Sequence, residues 1–498
     1  MLGNRPSDAP APESAATVRF RWNGRLLRAE AGDTIAAALW RNGIRQLGVS
    51  RKLHRPLGLS GAYLQGVLVE VNGVPHVRAD ERLVTDGMEV VRQNAWPNAR
   101  FDLMNVLRLL PASWVRGGFE HTMWFPSGTR RFDVWERLLS FMAGEVDIRP
   151  AFQSRATKPG GRRLDCDVVV VGAGPAGVSA ANEARRAGST VVLVTRGPKP
   201  GETASEFGIT SSALDPEVTL LANHVATGVY RGGRVVLAVP PDPSQSATVL
   251  VCRRLVLAHG KRSCPPLVPG HDLPGVLDAH SALSLARTLG PALGATVIVG
   301  TGKRDIMADT LRRHGVDIVA CGAVSQLVRV EGRNRVTAVL LNRRRVVCQT
   351  LVHAGPWRTD PALRFQACAT GTLRLTESVQ TSEDVELIGA AAEADEPYEL
   401  GSLQALSHVA LCPCMDVTIG EVLAAADTAQ CHAEELKRQT SCGMGPCQGF
   451  PCWEAMDAVL QKVQGRAGSS DRPAHRPPRR GITVAQAAGL EGLLELEP

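Results

Sequence analysis

One stretch constrains the fold more than any other: residues 165–197, DCDVVVVGAGPAGVSAANEARRAGSTVVLVTRG. An apolar run, a glycine-rich turn, an alanine-rich segment ending at Gly188 and a second apolar run predict strand, turn, helix and strand. The turn Gly172-Ala173-Gly174-Pro175-Ala176-Gly177 has its glycines where a dinucleotide fold needs them. Gly172 permits the tight turn, Gly174 lets a pyrophosphate approach the backbone, and Gly177 lets helix and strand pack closely. The helix start then offers free N–H groups and positive partial charge to phosphate. A second unit of this kind is predicted in ATVIVGTGKRDIMADTLRRHGVDIVACGA, with Gly300 and Gly302 in place but Asp305 where the third glycine belongs. Two such units on one chain predict an α/β, Rossmann-like flavoprotein core.

The rest of the chain divides around that core. Residues 1–16, rich in Pro, Ala and Ser, read as an unstructured lead. Residues 17–95 read as hairpin, helix and hairpin, turning at Asn23-Gly24 and Asn72-Gly73, with Thr34 capping the helix. That pattern suggests a β-grasp module. Residues 96–163 read as a Trp- and Arg-rich strap with one helix in MWFPSGTRRFDVWERLLSFMAG. The reductase-like core takes 164–405, and a small helical segment takes 408–465, with Thr418 and Glu421 forming a capping box. Residues 466–498 read as an extended, Pro-rich tail ending in a short acidic helix.

Composition narrows the function classes. With 44% apolar and 21% charged residues over 498 positions, disorder is excluded as the main state. No apolar run reaches the ~18 residues of a membrane span. The N-terminus shows neither a secretory nor a transit pattern, so a cytoplasmic location is expected. The excess of seven positive charges is scattered, and three Tyr and ten Phe give few stacking rings, which argues against a nucleic-acid partner. Of twelve cysteines none precedes Cys166, and six fall between Cys412 and Cys452. Such clustering in a chain without a signal points to a reducing compartment and a metal or redox site.

The segments GVSRKLHRPLG, TMWFPSG, VVVVGAGPAG, PPLVPGHDLPGV and CPC…GMGPCQGFPC resemble the α-subunits of heteromeric amine and opine oxidoreductases. That family includes sarcosine oxidase, the opine and proline dehydrogenase complexes, and hydrogen cyanide synthase subunits. The likeness runs from about Val18 into the tail. The likeness stops before the folate-binding aminomethyltransferase-like domain of the large sarcosine oxidase α-subunit, so a chain nearer the shorter dehydrogenase-type subunits is expected.

The resemblance implies a division of labour. A β-subunit of glycine-oxidase-like fold would oxidise the C–N bond, so no catalytic residue is expected in this chain. The α-like subunit would carry FAD, NAD or another adenine nucleotide at the first glycine loop, and one wall of an interfacial FMN site. It would hold an iron–sulfur centre in a domain like bacterioferritin-associated ferredoxin, and pass electrons to a further small subunit or acceptor. In that domain Cys412, Cys414, Cys447 and Cys452 match the ligands of a [2Fe–2S] cluster, a pair of soft thiolates to each iron. Zinc is the chemical competitor, and four ordinary buried thiols the structural one. Cys431 and Cys442 fall outside the ligand pattern and read as packing residues, Cys442 being the lesser ligand candidate.

The sequence also departs from that family. In SGAYLQGVLVEVNGVPHVRAD, Leu64, Val67 and Asp80 stand where cluster-bearing relatives of the N-terminal module have cysteines, so no cluster is expected there. Lys52, His54 and Arg55 read mainly as solvated, with phosphate contact as the alternative. Thr195 and Arg196 replace the carboxylate that would hold the adenosine ribose. The later nucleotide segments read Ala258-His259-Gly260 and Gly389-Ala390, without the usual closing aspartate, and Lys303, Arg304 and Asp305 interrupt the second turn. Together these imply that at least one nucleotide site is empty. Beside the electron-relaying subunit stand two alternatives: a non-catalytic scaffold with degenerate nucleotide sites, and a hydrogen cyanide synthase-like subunit oxidising glycine.

Overall fold

The computed structural model describes residues 16–50, 53–60, 64–96, 101–109, 130, 160–242, 245–368, 384–428, 432–464 and 473–493. The strap helix, Lys52 and Cys431 lie outside these residues. The N-terminal module opens with strands Thr17–Trp22 and Arg25–Glu30, paired antiparallel across Asn23-Gly24. Both turn residues have positive φ, 48° and 77°, the conformation whose twist suits a two-residue hairpin. Thr34 caps the helix Ile35–Arg41 by accepting from the Ala37 N–H at 3.2 Å, a contact worth about 1 kcal/mol. Strands Leu68–Val71, Val74–Arg78 and Glu89–Arg92 complete a five-stranded sheet in which the first and last strands run parallel.

The first nucleotide-type unit forms as its residues predict. Val168–Val171 and Val191–Val194, buried along their whole length, pair in parallel and flank the helix Pro175–Arg186. They read as continuous apolar runs because both faces are covered: Val168 and Val170 pack with Val178 and Ala181 of that helix, and Val169 and Val171 with Val229, Val236 and Leu250 of a second sheet. Thr219–Leu221, Arg254–Leu257 and Val385–Leu387 complete this parallel sheet. The second unit is a four-stranded parallel sheet with Thr296–Gly300 at its heart, followed by the helix Arg304–Arg313. One apolar core runs from Phe20, Leu39 and Trp40 of the N-terminal module into Leu283, Leu311 and Trp357 of this second unit. The module is therefore packed onto the reductase core through a shared interior.

The last part of the chain pairs Ala410–Cys412 with Val417–Thr418 and adds helices Ile419–Thr428, Ala433–Thr440 and Cys452–Gln464. The capping box is present: Glu421 N–H donates to Thr418 Oγ1 at 3.2 Å, and Thr418 N–H to Glu421 Oε2 at 2.8 Å. In the tail, residues 473–483 form neither helix nor strand. Its described helix is the alanine-rich Val484–Ala488, capped by Thr483 and Gln486. Leu490 then packs with Val235, Leu237 and Val249. Residues 494–498 lie outside the described part. No helix among the described residues is long and apolar enough to cross a membrane.

Candidate dinucleotide cleft and cysteine centre

The first glycine loop is shaped by close backbone contacts. Gly172 adopts φ 106°, and a Cβ there would collide with the Ala258 carbonyl and lie 3.0 Å from the His259 Cα. A Cβ on Gly177 would strike the Gly172 carbonyl, whereas one on Gly174 would meet nothing within 4 Å. Gly174 is also the N-cap of the helix and gives it no side-chain cap, with Pro175 at the first turn. Open space beside uncapped N–H groups is the cradle a pyrophosphate requires. Gly389, at φ 61°, approaches so near that its Cβ would lie 2.6 Å from that of Ala176. Gly172 to Gly177, His259-Gly260 and Gly389-Ala390 thus converge on one helix start. His259 Nε2 is buried there without a partner, and burial holds the imidazole pKa down.

The edge of this cleft lacks the carboxylate expected of a ribose contact. Thr195 lies at the end of Val191–Val194, and its hydroxyl accepts from the Gly197 N–H at 3.3 Å, turned toward its own loop. Arg196 is solvent-exposed, and the charges acting on it are Arg262, Asp278, Arg78 and Glu81. The guanidinium groups there stand among carboxylates, Arg78 being paired with Asp80 at 2.5 Å and with Glu81 at 3.0 Å. In the second unit the helix begins at Arg304 with no side-chain cap from Lys303, whose ammonium sits 5.4 Å from the Trp357 ring centroid. Asp305 points outward and pairs with Arg304 at 3.3 Å.

The four predicted ligand cysteines come together, with one more than expected. Cys412, Cys414, Cys442, Cys447 and Cys452 are all buried and unpaired by disulfides. Sγ of Cys412 is 3.6 Å from that of Cys414, which is 3.7 Å from that of Cys447. Hydrogen bonds from Cys414, Cys442 and Cys452 push the Cys412 thiol pKa well down, and those from Cys414 and Cys452 do the same for Cys447. The donors Cys414, Cys442 and Cys452 are held as thiols. Cys442, read from sequence as a packing residue, therefore belongs to the same thiol group, touching it through Cys412. Among the described residues these contacts are pairwise, and no three His, Cys, Asp or Glu side chains stand as a finished metal site.

The loop around the thiols is built for close approach. Gly443 donates its N–H to Cys412 Sγ at 3.4 Å, and a Cβ on Gly445 would lie 2.5 Å from Cys414 Sγ. Trp453 closes one side, its Nε1–H donating to the Cys442 carbonyl at 3.1 Å. Two arginines from distant parts of the chain grip this region. Arg479 of the tail donates to the Cys447 carbonyl and pairs with Asp360 at 3.0 Å. Arg55 bridges Asp416 at 2.8 Å and Asp272 at 3.2 Å.

Arg55 is thus a partly buried clamp between the N-terminal module and the cysteine segment, not a solvated charge. His54 is fully buried, 3.6 Å from Asp102. The sequence carried little signal for the partners Asp416 and Arg479, because pairs separated by hundreds of residues leave no local pattern.

Residues 15–95 match the family described as a 2Fe-2S iron-sulfur cluster binding domain, and residues 166–303 that of the pyridine nucleotide-disulphide oxidoreductases. The first match covers a stretch without a single cysteine. The chain is 31% identical over 372 residues to the sarcosine oxidase α-subunit of Rhizobium meliloti, covering 67% of this chain and 36% of that protein. It is 30% identical over 162 residues to an opine oxidase subunit from Agrobacterium tumefaciens, covering 27% of this chain and 32% of the relative. The chain therefore spans about a third of the length of these curated relatives. L-proline dehydrogenase from P. horikoshii shares the fold at a TM-score of 0.70 and 22% identity, over 96% of this chain and 98% of that one. The chain is a homologue of the sarcosine oxidase α-subunits and of the opine oxidase subunits, with a two-unit flavoprotein-type fold behind a ferredoxin-like module.

Proposed function

We propose that the chain is the electron-relaying α-like subunit of a heteromeric oxidoreductase acting on a secondary amine or imino acid of the sarcosine, opine or proline type. In this reading Cys412, Cys414, Cys447 and Cys452 hold a [2Fe–2S] centre, and the Gly172 loop holds FAD or another adenine nucleotide. The observation that carries it is the buried thiol group, supplied by two turns more than thirty residues apart in sequence and closed by Trp453. Such a centre supplies one-electron chemistry when bound.

The chain's own residues do the holding and insulating. Gly443 and Gly445 let backbone approach sulfur, Trp453 excludes water, and Arg55 and Arg479 place positive charge where thiolates gather. A zinc site would use the same four donors. The likeness to oxidase subunits favours iron. The amine would be oxidised in a β-subunit of glycine-oxidase-like fold, with an FMN at the shared face and a small subunit or acceptor beyond.

The hydroxyl of Thr195, turned to its own loop, favours a second reading in which the nucleotide sites are degenerate and the chain is a scaffold. The absorption spectrum of the anaerobically purified full chain separates the two. A flavin band near ~450 nm over a broad envelope that bleaches with dithionite is expected of the relay. A folded, colourless protein would refute it.

A further inference from the structure

Arg45 is the anomaly among the buried cations. It follows the helix that stops at Gly43 and leads into strand Gln46–Val49, and its side chain is carried inward with only 7% exposure. Its guanidinium lies 3.8 Å from the Trp40 ring centroid and donates to the carbonyls of Trp40 at 2.8 Å and Ala292 at 3.0 Å. These are neutral partners. Among the described residues no carboxylate pairs with it. Arg358, the other arginine buried to this degree at 9% exposure, has Glu454 at 2.8 Å. An unpaired buried cation is costly, and proteins ordinarily compensate it.

The missing charge has a place to sit. Arg45 borders a groove of about 340 Å³ whose described lining has three arginines and no acid. Arg335, exposed in the turn between strands Leu327–Gly332 and Val336–Leu341, faces it from the reductase core. Burial, and then repulsion from Arg335, bring the Arg45 pKa down to about 10. Arg92 forms a third wall; its Nη2 donates to Asp102 at 2.7 Å, while its buried Nε has no partner. Gln46 and Asn334 add amide groups. Arg45 and Arg335 line the groove with no carboxylate of their own among the described residues, and Arg92, held by Asp102, stands beside them; guanidinium forks so placed form a receptor for a planar or tetrahedral oxyanion.

We propose that this groove binds a small phosphate-bearing anion, of the size of a sugar phosphate or pyrophosphate, between Arg45, Arg92 and Arg335. The site spans the N-terminal module and the second nucleotide-type unit, and so is separate from the Gly172 loop. Its ligand bridges two parts of the chain already joined by a common core. Binding therefore stabilises the seam as well as filling the groove.

The test uses the full chain and thermal unfolding in inorganic pyrophosphate, against potassium chloride of matched ionic strength. The wild type is expected to gain about 2 °C or more over the chloride control. Arg335→Gln, at an exposed turn, should lose most of that gain and bind pyrophosphate about tenfold more weakly. Arg335→Glu supplies the absent carboxylate from the chain itself; it should melt higher than wild type without anion and gain nothing from it. A gain no greater than chloride gives overturns the proposal. So does an equal gain in Arg335→Gln, because the anion then binds elsewhere. A larger gain with citrate than with pyrophosphate overturns the phosphate assignment.

Discussion

The N-terminal module and the cysteine segment divide between them what a cluster site needs, a cluster-type fold in one and buried thiols in the other. The module matches a cluster-binding family and has no cysteine; the C-terminal segment gathers five buried thiols. In the module, Val67 is buried apolar core, and Asp80 enters an ion-pair group with Arg78, Glu81 and Arg480. Burial alone would raise the Asp80 carboxyl, but Arg78 and then Arg480 outweigh it and hold the pKa below the usual carboxylate range. The ferredoxin-like fold is therefore kept by a packed sheet, an alanine-rich helix and ion pairs. In the C-terminal segment Gly445 brings the backbone against Cys414 Sγ, Gly443 donates to Cys412 Sγ, and Gly443 and Gly449 leave room for the Trp453 ring beside the thiols.

The largest effect that could break this contrast is Cys447→Ser. Iron and acid-labile sulfide should fall to near zero, while Cys442→Ser, altering a thiol that touches the group only through Cys412, keeps both. Iron that persists in Cys447→Ser would move the ligand assignment. Asp80→Ala probes the other region: it leaves Arg78 and Arg480 without part of their counter-charge and should cost about 3 kcal/mol in chemical denaturation. Its iron content should match wild type, and a loss of iron would place a metal role in the module.

A smaller effect tests whether the module and the second nucleotide unit melt as one. Burial raises the Asp278 carboxyl, but Arg262 leads the groups that outweigh it and bring it to about 2. Its folded pKa lies below the unfolded one, so its stabilisation is full above about pH 4 and fades as pH falls toward 2, by about 2 kcal/mol. Burial also holds His280 and His353 at about 4, so both are neutral in the fold. The unfolded chain takes up protons there first, and stability should already fall between about pH 6.5 and 4. Both steps should appear together in fluorescence from the module's tryptophans and in global circular dichroism. Asp278→Asn should remove the lower one. Separate transitions would contradict a common core.

Much of the fold was legible because its signals are local. The run Val168–Val171, the glycine turn and Gly188 predict a strand, turn and helix within one window, and the structure follows them. Thr34 and Thr418 announced their helices by capping chemistry. What stayed hidden was carried by partners far apart in sequence. Arg55 looked solvated because Asp272 and Asp416 lie more than two hundred residues away. Cys442 fell outside a spacing pattern, yet the loop through Gly443 returns it to Cys412. Thr195 was visible as a departure, but that its hydroxyl serves its own turn is a fact of geometry.

The central claim is one iron–sulfur centre, at the C-terminal end, in a chain whose ferredoxin-like module has none. Metal analysis with acid-labile sulfide on the anaerobic full chain tests it most directly. About two irons and two sulfides per chain are expected, the content of a single [2Fe–2S] cluster. Four irons per chain, or one zinc without sulfide, would contradict it.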